Sequence, residues 1–126
     1  MERLKFSSGT YWEEHVGYSR AVKVGNMVFI SGTTAIDGET IVGKNDAYMQ
    51  TKYIIEKIEN ALTNLGAKLE DVVRIRIYLT DITLWKEAAK AYSEFFKNIK
   101  PAQTLIEIKG LVDPSMLVEI EADAVI

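Results

Sequence analysis

Residues Tyr18–Ser31, YSRAVKVGNMVFIS, decide the class of the fold. Two runs rich in β-branched and aromatic residues flank Gly25-Asn26, a pair suited to a tight turn with positive φ, so the stretch reads as a β-hairpin. Downstream, Gly32–Gly43 is polar and punctuated by glycine, and reads as a loop. Asn45 or Asp46 can cap a helix there. Ile54, Ile58, Leu62 and Leu65 follow at helical spacing, with Ala61 on the same side. Gly66 suits the left-handed position that stops such a helix. Val72–Leu79 alternates, with Val73, Ile75, Ile77 and Leu79 on one face and Arg74, Arg76 and Tyr78 on the other, which predicts a strand. Asp81 or Thr83 can cap a second helix whose buried stripe is Trp85, Ala88, Ala89, Tyr92, Phe95 and Phe96. Pro101 keeps the chain out of helix. Gln103–Ile108 and Leu117–Ile126 read as strands, and a short strand is expected near Lys5. The order is β-β-α-β-α-β-β. Two helices cannot cover both faces of such a sheet, so they are expected to pack on one. The prediction is a single α+β domain over residues 1–126, with a mixed sheet.

Composition narrows the chemistry. The chain of 126 residues has no Cys, which excludes disulfides, thiolate nucleophiles and Cys-based metal sites. His15 is the only histidine, so no multi-His metal centre can form within one chain, and no metal is expected. The net charge of -3 and a pI near 5.2 supply no positive field for nucleic acid, and no nucleic-acid partner is expected. No stretch approaches the ~18 apolar residues of a membrane span. The N-terminal MERLKFSSGTYW has no apolar signal core, and a cytoplasmic protein is expected.

Several blocks, taken together, carry a resemblance. GYSRAVKVGNMVFISG, then QTKYIIEKIENALTNLGAKLEDVVRIRIYLTD, then YSEFF, PAQTLIEI and LVEIEADAVI run in the order of the Rid (reactive intermediate deaminase) or YjgF family. The resemblance spans the chain from about Tyr18 to its end. It implies a chorismate-mutase-like fold of the bacillus type. It also implies a homotrimer whose sheets face an inner barrel, with small-molecule clefts between subunits. The implied activity is hydrolysis of reactive imines and enamines, such as 2-aminoacrylate, to keto acids and ammonia without a cofactor. The implied ligand is an imine, enamine or keto acid.

The site residues follow from this resemblance one by one. Tyr18 matches a ring at the start of the hairpin, and Ser31-Gly32 a segment whose backbone borders the ligand. Glu119 matches the acid that positions the attacking water, and a carboxylate beside a C=N bond can orient water and move a proton. The active branch of the family holds the substrate carboxylate with an Arg after Pro-Ala. Here Pro101-Ala102 is followed by Gln103 and Thr104, and the family's Cys two residues beyond that Arg is Leu105. Gln103 can hydrogen-bond a carboxylate but brings neither the charge nor the two-pronged geometry of a guanidinium. Arg20, two residues from Tyr18 and so on the same strand face, is a candidate to supply that charge. Other readings of these residues stand beside the functional ones. Glu119, Glu121 and Asp123 share one strand face and Arg74 and Arg76 another, a pattern that cross-strand pairing alone explains. Trp12 and Trp85 read as packing residues and His15 as a surface residue. The functional reading is a small-molecule-binding protein with imine or enamine hydrolase chemistry, its substrate choice altered by Gln103, and whether it is catalytic stays open. The alternative is a non-catalytic metabolite-binding or regulatory protein using the same cleft. An RNA-acting translation inhibitor ranks last.

Overall fold

The computed structural model describes residues 1–126. Its main sheet has six strands: β1 (Arg3–Phe6), β2 (Ala21–Val24), β3 (Met27–Thr33), β6 (Val72–Leu79), β7 (Ala102–Glu107) and β8 (Val118–Val125). A small two-stranded ribbon is formed by β4 (Ile36–Asp37) and β5 (Thr40–Ile41). The helices are α1 (Ala47–Asn64) and α2 (Trp85–Phe96). The sheet order is β1-β2-β3-β8-β6-β7; all neighbours are antiparallel except β6 and β7, which run parallel across the α2 connection. A single α+β domain with a mixed sheet is thus what the alternating segments build.

Local chemistry explains the boundaries. Gly25, at φ 59°, makes the β2–β3 turn. Asp46 caps α1 by accepting the Met49 N–H at 3.0 Å, and Gly66 leaves it at φ 80°. Asp81 accepts the Thr83 N–H at 2.9 Å and so caps a short 3₁₀ turn, Ile82–Leu84, that leads into α2. Both helices lie on one face of the sheet, over a core that includes Val28, Ile30, Ile54, Ile58, Leu62, Ile75, Ile77, Phe96, Ile120 and Ala122.

Three local readings need correction. Val73 is not on the core face. The register slips between Val72 and Arg74, so Val72 turns inward and Val73 is 47% exposed. Trp85 is 49% exposed, because α2 begins there and its first residue lies beyond the edge of the packed stripe; Ala91 takes an inner position instead. Gly32–Gly43 is not all loop: Gly32 and Thr33 continue β3, and β4 and β5 pair around Gly38, whose φ of 63° permits the turn.

Candidate functional site

The site is built where β3 departs from regular pairing. Register with β8 shifts between Ile30 and Thr33, placing Gly32 at the irregularity. A Cβ on Gly32 would lie 2.9 Å from Glu119 Cδ, so any side chain there would push that carboxyl from its present place. Glu119 is half-buried on β8. Burial and the neighbouring Glu121 charge raise its pKa above the ordinary carboxylate value, against the opposing pull of Arg20.

A cleft of about 200 Å³ opens here. Its polar lining includes Thr10, Tyr18, Arg20, Lys57 and Glu119, and its apolar walls come from Trp12, Val16, Ile36, Val112 and Met116. A buried amide holds two of its sides together. Gln50 of α1, fully buried, donates to Gly43 O at 3.1 Å and Ser115 O at 2.8 Å and accepts the Leu117 N–H at 2.8 Å. This ties the helix to the segment that carries Met116 into Glu119.

Arg20 makes four hydrogen bonds in the site and is only 5% exposed. Its Nη1 donates to Gly32 O at 2.6 Å and Thr33 Oγ1 at 2.9 Å, its Nη2 to the Tyr18 hydroxyl at 3.3 Å, and its Nε to Glu13 at 3.4 Å. Four of the five N–H groups of a guanidinium are therefore committed within the chain. Glu13 lies in a single π-type turn, Glu13–Gly17, and is itself buried. Burial pushes its pKa up, but the Ser8, Ser7 and Thr10 hydroxyls and the Ser8 N–H outweigh that and bring it down to about 2.

The expected residues divide between places. Tyr18, Arg20, Gly32 and Glu119 line one cleft. Ser31 stands next to it, donating its hydroxyl to Ser19 O at 2.7 Å. Gln103 and Thr104 are exposed on the edge strand β7, with β8 and β6 between them and β3, and do not line this cleft. His15 stacks on Tyr11 at the surface, with ring centroids 3.9 Å apart. Trp12, read from sequence as packing, lines the cleft. Glu13 and Lys57 were not singled out from sequence. For Lys57 the available signal was a cation on α1 one residue from the buried position Ile58, which marks the flank of the helix next to the sheet. Its Nζ donates to Ile36 O at 2.9 Å and Thr34 O at 3.3 Å. Burial and the Arg20 charge lower its pKa to about 8, opposed by Glu13 and Asp37.

Known proteins resemble this chain along most of its length. A model of the family described as endoribonuclease L-PSP matches residues 12–126. A RutC family protein of Pyrococcus abyssi is 42% identical over 108 residues, 85% of this chain and 84% of its own length. The 3-aminoacrylate deaminase RutC of Acinetobacter baylyi is 34% identical over 108 residues, 85% of each chain. Among solved structures, a Mycobacterium tuberculosis member of the YjgF/YER057c/UK114 family superposes with a TM-score of 0.91 at 42% identity, covering 99% of this chain and 100% of that one. With the same sheet and helices along its whole length, and a family match that begins at Trp12 and runs to the end, this chain belongs to the endoribonuclease L-PSP family, the YjgF or Rid group.

Proposed function

We propose that the protein binds a small metabolite in the cleft between Tyr18 and Glu119 and hydrolyses an imine or enamine there. One observation carries this reading. Glu119 presents a half-buried carboxyl of raised pKa to a cleft bordered by the backbone of Gly32. Such a group can take a proton from water as it attacks the C=N carbon, then return it to the departing nitrogen. The balance is C=N plus water to C=O plus ammonia, and no cofactor is required. The deaminase name of the Acinetobacter relative supports the same class of reaction. In this reading the active unit is a cytoplasmic homotrimer, in which Gln103 and Thr104 of a neighbouring subunit complete the cleft and alter substrate choice.

The test is ammonia release from freshly generated 2-aminoacrylate and 3-aminoacrylate, measured against the buffer-only rate. Acceleration of at least one substrate is expected, 2-aminoacrylate being the poorer. Glu119→Gln should cut it by roughly a hundredfold or more, the usual contribution of a positioned acid-base group. The uncharged Gln103 and the committed donors of Arg20 favour a second reading, a binding protein without chemistry. Ligand binding with no acceleration of either substrate establishes that reading instead.

A further inference from the structure

Lys57 lines the cleft with no carboxylate in ion-pair contact, Glu13 and Asp37 acting on its charge only from farther away. The ion pairs of the chain are Arg20 with Glu13 and Arg76 with Asp123, and Lys57 belongs to neither. Its Nζ is fixed by two main-chain carbonyls of the β3–β4 segment, Thr34 O and Ile36 O. An ammonium has three N–H groups, so one remains to point elsewhere. Arg20 lines the same cleft and has one Nη2 N–H uncommitted. Two donors on two neighbouring cations suit the two oxygens of a carboxylate, and the apolar walls leave about 200 Å³ for a small organic body.

We propose that Lys57, assisted by Arg20, is the cation of this chain that holds a ligand carboxylate in the cleft. The proposal rests on the cleft being the ligand site, and it gives this chain, from its own α1, the charge that Gln103 lacks. Lys57 is then a binding and specificity residue rather than a proton carrier.

The charged and titratable groups that face Lys57 are Arg20, Glu13 and Asp37, with Tyr53 and Glu56 on its own helix and Glu119 across the cleft. Glu13 is held at about 2 and Tyr53 lies above its ordinary value, so neither changes charge between pH 7 and the titration of Lys57. Lys57 loses its proton near pH 8, and anion affinity should fall as pH rises through that value.

The experiment measures pyruvate and its uncharged analogue pyruvamide by calorimetry or ligand-observed NMR. The natural protein should bind pyruvate at least about tenfold more tightly than Lys57→Gln does, as expected for loss of a charge-assisted hydrogen bond. Lys57→Arg should keep most of the affinity, and pyruvamide should bind both variants alike. Between pH 7 and 9.5 the pyruvate affinity of the natural protein should fall, and that of Lys57→Arg should stay level. Should Lys57→Gln prove unfolded by circular dichroism, the pH series on the natural protein and Lys57→Arg decides alone. Equal pyruvate affinity in folded Lys57→Gln, or a level pH series in the natural protein, overturns the role of Lys57 and leaves the cleft reading intact. If the natural protein binds neither pyruvate nor pyruvamide, the cleft is not the site and both readings fall.

Discussion

Glu13 and Arg20 show how a single buried pair organises the site. The Glu13 carboxylate gathers three hydroxyls and the Ser8 N–H and still faces the Arg20 Nε at 3.4 Å. Its folded pKa of about 2 lies below the ordinary 4.5. Its contribution to stability is therefore complete above about pH 4.5 and is lost as pH falls toward 2. At most about 3 kcal/mol is at stake, since each pK unit corresponds to roughly 1.36 kcal/mol. Urea unfolding at pH 6 and pH 3 should show a drop that is much smaller in Glu13→Gln; equal drops in both proteins would refute this assignment. Gln103 is the second residue with a sharp consequence. A charged fork in its place adds about 1.5–3 kcal/mol of interaction with a carboxylate, a roughly ten- to hundredfold change in rate. Gln103→Arg should raise ammonia release from 2-aminoacrylate by that order. A natural protein already fully active on 2-aminoacrylate would show that Gln103 is no handicap. None of the pairing between Glu13 and Arg20 could be read from sequence, because two charges seven residues apart acquire partners only once the turn between them has closed.

At the scale of the elements, Gln50 is the joint that matters. It is buried completely on the inner side of α1, and its amide satisfies two carbonyls and one N–H of separate loops. Gln50→Leu keeps the helix but strands those groups, each unpaired buried group costing about 1–3 kcal/mol. The expected result is a destabilisation of at least about 2 kcal/mol in chemical denaturation, with weaker ligand binding because the segment before Glu119 loosens. An unchanged unfolding midpoint would mean that water replaces the amide. The strands and helices themselves were legible, because their periodicities of 2 and 3.6 residues are written in the burial of each side chain. The exceptions are β4 and β5, two residues each and too short to show a period, and the misread Val73 and Trp85 sit at element ends. There a slipped register or a first helical turn breaks the period that the pattern assumes.

At the scale of the whole molecule, the helices cover one face and leave the other open. That open face carries Arg74, Arg76, Tyr78, Glu119, Glu121 and Asp123, with Phe29 and Met27 exposed at 42% and 41% beside them. Arg76 reaches Asp123 at 3.5 Å, and Tyr78 donates its hydroxyl to Glu121, so the charges are partly satisfied within the sheet. The proposed trimer would cover this face. On that proposal light scattering should report three times the 14.2 kDa of one chain, and a monodisperse monomer at micromolar concentration would refute it. The alternation along Val118–Val125 and the spacing of Ile54, Ile58 and Leu62 determined, without coordinates, that a one-sided α+β sheet would form. That information is local: each apolar residue records its own burial, and neighbours in sequence share the same element. The cleft is of another kind. Lys57 of α1, Arg20 just before β2, Gly32 of β3 and Glu119 of β8 meet only after α1 has packed across the sheet. Which N–H groups of Lys57 and Arg20 are taken by the chain, and which are left for a ligand, depends on distances of a few ångströms set by that packing, and only the tertiary structure could decide it.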